Sequence, residues 1–227
     1  MKKFLSLICL VVLVLVISSV TLAAGSIGVD FMPGGIDHID KDSDDQNGRF
    51  NSSFITLEGT IKDFKYGIEY GNGTSKFKDG DILADSTYDF NSMEYKIGVR
   101  FLNIERVKLD AVVSSLQLQL KTSGIKVDEN GYLLGCDANV NITEKVSLEG
   151  YVGVSIFGAT YKENGIDYDP AFLSAAKVRF NYAVSENVLL SLGFRTILCH
   201  VSDYDNNSKE ELNRGISGFS IGCKYSF

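Results

Sequence analysis

A run of aspartates in the first polar segment has the residue types of a cation site. It begins at Asp37, and Asp40, Asp42 and Asp44 then alternate along the chain. This run is similar to a calcium-binding loop, whose carboxylates alternate in the same way. However, Asp45 stands where such a loop needs its turn glycine, and no glutamate closes the site. We therefore expect a solvated acidic loop, with calcium binding as the weaker alternative.

Two histidines are the other candidates for metal binding or catalysis. His38 and His200 are the only histidines in the chain, and they fall in the first and last long polar segments. Closure of the chain into a barrel would make these segments neighbours. The spacing fixes no third ligand, and exposed loop histidines are common, so we expect neither a metal site nor a bound cofactor.

The elements that position these residues are strands. From about residue 25 onward, apolar side chains recur at every second position. Between residues 91 and 102, for example, Tyr95 and Ile97 share one face and Glu94 and Lys96 the other. The same periodicity predicts ten strands, at 26–32, 52–61, 64–71, 92–102, 107–120, 131–142, 146–160, 172–183, 188–199 and 216–227. In the fifth strand the apolar phase switches near Ser114 and Ser115, which predicts a β-bulge.

The connections between these strands alternate in length. Tight turns are expected at 62–63, 103–106, 143–145 and 184–187, with long polar links at 33–51, 72–91, 121–130, 161–171 and 200–215. Short turns on one side, long loops on the other and an even strand number are typical of an up-and-down outer-membrane barrel. The predicted class is all-β, an antiparallel transmembrane barrel of about ten strands with a polar lumen, and eight strands is the alternative.

Alternation alone does not say which face meets lipid, since a secreted lipocalin-like barrel would turn its apolar face inward around a ligand. Aromatic residues cluster at both predicted ends of the strands, as in the girdles of membrane barrels. They are Phe64, Phe101, Phe180, Tyr182, Tyr225 and Phe227 at the short turns, and Phe31, Tyr70, Tyr132, Phe172 and Phe219 at the long links. Glycines interleave with charges on the opposite face, which suits a narrow lumen. These features favour lipid on the apolar face.

The last strand carries the most specific pattern. Phe219, Ile221, Tyr225 and Phe227 alternate to the final residue. This ending resembles the carboxy-terminal signature of bacterial outer-membrane barrels, which the barrel assembly machinery recognises through a terminal Phe. The chain thus resembles the broad group of outer membrane proteins A, X and W, whose members commonly have eight strands. The resemblance implies insertion from the periplasm of a Gram-negative bacterium, contact with outer-membrane lipid and lipopolysaccharide, and structural, adhesive or small-pore roles.

The amino terminus predicts export. Lys2 and Lys3 precede the apolar run 4–20, and Ala23 and Ala24 follow it, which is the order of a secretory signal peptide. We expect residues 1–24 to be a signal peptide and 25–227 the barrel, with a retained signal anchor as the alternative. The whole chain carries a net charge of −7, and loss of the two lysines leaves −9. Such a charge disfavours nucleic acid as a partner.

If the apolar face of the strands points outward, many charged side chains point into the lumen. They are Asp30, Glu58, Glu69, Glu94, Asp110, Asp137 and Glu149, facing Lys96, Arg100, Lys177, Arg179, Arg195 and Lys224. They could pair and plug the lumen, or stay hydrated and line a thin, porin-like pore for small solutes. Small barrels are mostly filled by side chains, so we favour the plug.

Catalysis is not expected. Ten strands also resemble the omptin proteases, but the sequence has no Asp-x-His element in a matching place, and the loops look too short to build a cleft. The sequence therefore predicts a non-enzymatic barrel, whose long loops could contact surface ligands.

Overall fold

The computed structural model describes residues 25–41, 46–77, 86–122, 124–205 and 210–227, and these form ten strands. They are β1 (Gly25–Lys41), β2 (Gln46–Ile61), β3 (Phe64–Phe77), β4 (Ser86–Ile104), β5 (Val107–Lys121), β6 (Lys126–Asn141), β7 (Val146–Glu163), β8 (Ile166–Ala183), β9 (Val188–Asp205) and β10 (Glu210–Ser226). Every strand pairs antiparallel with its neighbours in sequence, and β1 pairs with β10 to close the barrel. The predicted all-β up-and-down barrel is confirmed, with ten strands rather than eight.

The two ends of the barrel sequence meet at the closing seam. Gly25 and Phe227 exchange backbone hydrogen bonds of 3.1 and 2.9 Å. The four short turns lie at this same end of the barrel, which we call the terminal end, and the opposite end is the far end. Within the described residues, no helix is long and apolar enough to cross a bilayer.

The strands are longer than predicted, from 14 to 19 residues. Most of each predicted long link is strand, because polar residues there still pair across the sheet, as Asn72 does with Asn91. The link at 161–171 reduces to a turn at Asn164 and Gly165, whose φ angles are 52° and 86°. Two positive φ angles define a type I′ hairpin turn, for which Asn-Gly is the preferred sequence. A tilted strand crosses a bilayer in about nine to eleven residues, so these strands continue past the membrane at the far end.

The predicted bulge near Ser114 is wrong. β5 pairs with β6 without a break from Val107 to Lys121, and its one register shift against β4 lies between Arg100 and Leu102 of that strand. Leu116, Leu118 and Leu120 keep the phase of Asp110 and are buried in the barrel. The apolar phase switches because the lumen itself becomes apolar toward the far end.

Two other strands do bulge, next to glycines with positive φ. In β1 the pairing shifts around Gly34, whose φ is 67°. In β7 the pairing shifts between Val154 and Ala159, around Gly158 with φ 78°. Residues 156–158 therefore project from the outer wall, and Phe157 is 85% exposed.

The apolar face of the sheet points outward. All eleven aromatic residues assigned to the two girdles are on the outside, with exposures between 37% for Tyr70 and 71% for Phe219. Between them lie exposed aliphatic side chains such as Ile97, Leu134 and Leu192. An apolar outer belt of this extent is typical of lipid-facing barrels and opposite to the arrangement that a soluble lipocalin-like barrel would need.

Candidate functional site in the barrel lumen

The lumen contains two layers of different chemistry. We call the charged layer nearer the terminal end the ionic layer. Its acids are Asp30, Glu58, Glu69, Glu94, Asp110, Asp137 and Glu149, and its bases are Lys65, Lys96, Arg100, Lys177, Arg179, Arg195 and Lys224. Seven carboxylates thus meet seven cations, and each charged group has a partner of opposite sign within 4.0 Å. The ionic layer as a whole is electrically neutral.

Glu69 is the hub of this layer. Arg195 donates to its two carboxylate oxygens at 2.6 and 2.7 Å, and Lys177 donates at 2.8 Å. Thr56 Oγ1 donates a further hydrogen bond at 3.0 Å. One carboxylate on β3 therefore ties together β2, β8 and β9. A bidentate arginine pair of this kind is among the strongest charge-assisted contacts in proteins.

Other pairs cross the lumen between strands that are not neighbours. Lys65 on β3 lies 2.7 Å from Asp137 on β6. Lys224 on β10 bridges Glu58 at 2.9 Å and Glu149 at 3.2 Å. These contacts fill the cross-section of the barrel instead of lining its wall.

Arginine and aromatic side chains complete the ionic layer. Arg179 pairs with Asp30, which also accepts a hydrogen bond from Ser191. Lys96 lies 3.5 Å above the ring of Tyr151, and the guanidinium of Arg195 lies 3.7 Å above that of Phe54. Ring faces stabilise desolvated cations, so these contacts help to hold the charges away from bulk water.

The structure brings every predicted lumen charge into this one layer. Lys65 was missing from the predicted set, although it lies four residues before Glu69 and so shares its face of β3. Among the charged side chains of the ionic layer, as the structure describes them, two buried atoms have no hydrogen-bond partner, Oε1 of Glu94 and Nε of Arg179.

The second layer, which we call the apolar layer, fills the half of the lumen toward the far end. Its side chains are at most 3% exposed, and they include Met32, Phe50, Phe54, Phe90, Leu116, Leu118, Leu120, Leu133, Leu173, Val201, Leu212 and Ile216. Phe50 and Phe90 meet edge to face at 4.8 Å between ring centroids. The sequence pattern did not reveal this layer. Four of these residues, Phe50, Phe90, Val201 and Leu212, come from segments predicted as links, and the other eight lie on predicted strands but were not assigned to an apolar lumen.

A buried charged triad sits within the apolar layer. Arg214 on β10 lies 2.6 Å from Glu129 on β6 and 3.2 Å from Asp37 on β1. All three side chains are at most 4% exposed. The outward neighbours of Glu129 and Arg214 are polar, for example Asp128 and Asn213, so these two residues lie beyond the lipid-facing belt. Beside Asp37, by contrast, Ile36 is apolar and 52% exposed.

Two carboxylates share the single cation of this triad. Burial raises the pKa of Glu129, and the nearby Asp37 carboxylate raises it further against the opposing effect of Arg214. Burial alone would lower the pKa of Arg214, but Asp37 and Glu129 raise it overall. Arg214 is therefore held in its charged form, while burial and the Asp37 carboxylate keep the pKa of Glu129 above its usual range.

Two small cavities lie in the lumen beside the ionic layer. One has a volume of about 60 Å³ and is lined by residues such as Glu58, Lys65 and Asp137. A second, beside Glu69 and Leu116, has about 20 Å³. Since a cavity needs roughly 10–15 Å³ to hold one water molecule, these spaces accommodate only a few waters.

The two histidines, which the sequence offered only as weak candidates for a metal or catalytic pair, are not brought together. His38 on β1 and His200 on β9 are separated by β10, and neither points into the barrel. Nδ1 of His200 lies 2.6 Å from Oδ1 of Asn213, and Nε2 contacts Ser202 at 3.4 Å. Within the described part of the chain, no group of three His, Cys, Asp or Glu residues could hold a metal ion.

The structure describes only part of the predicted acidic loop. Asp37 is fully buried in the triad, so it does not belong to a solvated loop as expected. The side chain of Asp40, together with Asp42 and Asp44, lies outside the described residues. The bulge at Gly34 changes which residues of β1 face inward, and the sequence alone did not reveal this change.

The residues of the carboxy-terminal signature lie on the outer wall of β10, with Phe227 directly after the last strand residue. Phe219, Ile221, Tyr225 and Phe227 are all exposed there. They form part of the lipid-facing belt beside the closing seam. Cys136, Cys199 and Cys223 are free thiols, as their wide spacing indicates.

Comparison with known proteins supports the architecture. No family model and no curated protein matches the chain. The crystal structure of the outer membrane protease OmpT from Escherichia coli is 11% identical, covers 91% of this chain and 98% of its own, and has a TM-score of 0.63. Neisserial surface protein A is 14% identical over 90% and 99% of the two chains, with a TM-score of 0.36. The translocator domain of the Neisseria meningitidis autotransporter NalP is 12% identical over 91% and 89%, with a TM-score of 0.44.

Of these three structures, OmpT alone has a TM-score above 0.5, and at 11% identity the likeness concerns the fold alone. The lumen geometry, the outward apolar belt and this likeness agree. The chain has the fold of a bacterial outer-membrane β-barrel, as its sequence resemblance predicted.

Proposed function

We propose that the protein is a non-enzymatic integral outer-membrane barrel with a closed lumen and a structural or surface-contact role. The observation that carries this proposal is the apolar layer, which lies above the neutral ionic layer and fills the barrel with side chains that are nearly inaccessible to solvent. Porin-like conduction would require ions to pass between Phe50, Phe90 and Leu118, whose side chains are at most 2% exposed and offer no polar group to an ion. Charged groups are costly to move into such surroundings.

Planar-bilayer recording of the refolded protein tests this proposal. Folded protein, identified by a heat-dependent shift in gel mobility, should give no discrete conductance steps. Steps in the wild type, with a size or selectivity that changes in Arg179→Glu or Arg195→Glu, would establish the narrow-pore alternative.

A second experiment separates apolar-layer packing from general damage. Phe50→Ala with Phe90→Ala removes an aromatic pair inside the lumen, whereas Phe194→Ala with Phe219→Ala removes a similar pair on the outer wall, where the rings lie 5.4 Å apart. The inner double variant should leak small ions, and the outer one should stay silent. Leakage from both variants would show that closure does not depend on the apolar layer.

The absence of catalysis is part of the proposal. His200 is supported by Asn213 and Ser202 and lies outside the barrel wall, so the fold does not present it in a far-end cleft. Purified barrel incubated with basic peptides and lipopolysaccharide should show no turnover. Turnover that disappears in His200→Ala would favour the protease-like alternative.

We also propose two steps in biogenesis. Residues 1–24 are removed as a signal peptide, which mass measurement of the mature protein tests. The barrel assembly machinery then recognises the β10 ending at Phe227. The pattern of exposed residues on β10 supports this second step, because alternate side chains are available on one face.

A further inference from the structure

The outer wall of β3–β8 carries two adjoining concavities near the far end. One has a volume of about 260 Å³ and the other about 590 Å³, and Gln117 and Asn130 line both. We call the lined surface the amide groove. Its lining also includes Tyr70, Asn91, Gln119 and Asp128 on one side, and Tyr132 and Phe157 on the other.

The polar groups of the amide groove are nearly all uncharged. Oδ1 of Asn91 accepts hydrogen bonds from Tyr70 at 3.2 Å and Asn72 at 2.9 Å, in an exposed position. Asp128, the one charged lining residue, accepts from Gln119 at 2.8 Å and pairs with Lys126 at 2.6 Å. The described lining therefore offers carboxamides and hydroxyls, which donate and accept hydrogen bonds at the same time, and it offers no lysine or arginine to an anion.

The position of the amide groove along the barrel axis indicates which part of the membrane it faces. Tyr70 and Tyr132 belong to the far-end girdle, and tyrosines in such girdles lie at the level of lipid headgroups. On the terminal side of them, Ile68 and Leu134 continue the apolar belt. The groove thus begins where the hydrocarbon ends, in the leaflet at the far end of the barrel.

The β7 bulge shapes one wall of the groove. Gly158 adopts a φ of 78°, which permits residues 156–158 to leave the sheet and places Phe157 in an 85% exposed position beside the larger concavity. Phe157 and Tyr132 give the groove aromatic surfaces next to its amides. Aromatic faces with neighbouring hydrogen-bonding side chains suit a ring with hydroxyl groups on its edge and C–H groups on its faces.

We propose that the amide groove binds the uncharged sugar headgroup of a glycolipid in the leaflet at the far end. This inference rests on the proposed membrane-barrel function. Glycerophospholipid headgroups fit the groove less well, because their phosphate would meet no free cation among the described lining residues. Hydrogen bonds from Gln117, Asn130 and Asn91 hold the sugar, while the acyl chains run along the belt below Tyr132.

Because the sequence has no tryptophan, the fluorescence of a single introduced tryptophan can be followed without background. Phe157→Trp places a single indole beside the larger concavity. The variant is reconstituted in nanodiscs of phosphatidylcholine alone, with added phosphatidylglycerol, or with added digalactosyldiacylglycerol. A blue shift of tryptophan emission with the galactolipid only is the expected result. Equal shifts in all three discs, or a shift only with phosphatidylglycerol, would overturn the proposal.

Matched variants establish that the groove is the binding site. In the Phe157→Trp background, Gln117→Leu with Asn130→Leu keeps bulk but removes two amides, and the galactolipid response should be lost. Asn103→Leu, which replaces an exposed amide at the terminal end, should leave the response intact. Loss in both would indicate a nonspecific effect and contradict the proposal.

Two measurements keep the result interpretable. Native mass spectrometry of the wild-type chain should retain galactolipid in preference to phosphatidylglycerol, and equal retention would overturn the proposal without relying on the reporter. Brominated phosphatidylcholine should quench the indole of an Ile97→Trp variant, whose side chain lies in the apolar belt, in every disc. Absence of quenching would refute the membrane-barrel function itself, whereas quenching without a galactolipid response would refute only the groove.

Discussion

Arg214→Met is expected to cause a large loss of stability, because it removes the only cation of the Arg214–Asp37–Glu129 triad. The three side chains are at most 4% exposed, so two carboxylates would remain in the apolar layer without a counter-charge. Removing one partner of a buried ion pair costs about 3–5 kcal/mol. Lys162→Met provides the control, since it breaks a pair of similar length, 2.7 Å, with side chains 42% and 56% exposed. Such exposed pairs contribute about 0–1 kcal/mol.

The loss in Arg214→Met should depend on pH in a defined direction. Burial already raises the pKa of Glu129 in the wild type, and the loss of Arg214 removes the effect that opposed this rise. A group with a raised pKa in the folded state contributes stability at low pH and loses it as the pH rises through that pKa. The deficit of Arg214→Met should therefore be greatest at neutral pH and smaller in acid.

Urea unfolding of detergent-folded protein, followed by gel mobility without heating, measures both effects. Lys162→Met should unfold close to the wild-type urea concentration at each pH. An Arg214→Met midpoint equal to that of Lys162→Met would refute the argument about the buried triad. A deficit that stays constant from neutral to acidic pH would refute the role of the carboxylates.

Three further outcomes follow from the packing of the lumen and the closing seam. Gly222→Ala should destabilise the barrel by about 1–3 kcal/mol, because the added methyl group would overlap the Asp30 carboxylate and lie 2.8 Å from the Val29 carbonyl oxygen. Gly28→Ala should cost much less stability, since the atoms nearest to its added methyl group are 3.7 Å away or more. The urea midpoints of the two variants measure this difference. Glu69→Gln should lower stability by about 3–5 kcal/mol, since it removes the carboxylate shared by a lysine and an arginine, and an unchanged midpoint would contradict its role as the hub. Deletion of Phe227 should reduce the amount of barrel assembled in cells while refolding in detergent persists, as cell fractionation and in vitro refolding would show; normal assembly would argue against the terminal signal.

Alternation predicted the membrane-spanning parts of the strands well because lipid imposes a strict apolar face there. On β4, Tyr95 and Ile97 are exposed as expected, and Glu94 and Lys96 point into the lumen. The same parity, followed from Glu69, would also have identified Lys65. The information for the ionic layer is therefore almost entirely local.

The far half was harder to predict for physical reasons. Past the girdle the outward face needs no apolar residues, so the strand pattern of 72–77 and 86–91 no longer resembles a membrane strand, although both segments pair fully. Bulges at Gly34 and Gly158 also shift the inward phase of their strands. Consequently Asp37, Glu129 and Arg214, which lie far apart in sequence, gave no common signal.

The change of lumen chemistry along β5 has a broader consequence. At its start, inward Asp110 is opposed by outward Val113, whereas further along inward Leu118 and Leu120 are opposed by outward Gln117 and Gln119. The two halves are thus suited to different surroundings. The half toward the terminal end has an apolar outer face for lipid and a charged interior, whereas the half toward the far end has a polar outer face for water and an apolar core. The substitutions that each face tolerates therefore reverse midway along the strand. A leucine at an outward position is favourable in the lipid-facing half, whereas a leucine at an outward position a few residues further along would be exposed to water and would promote aggregation.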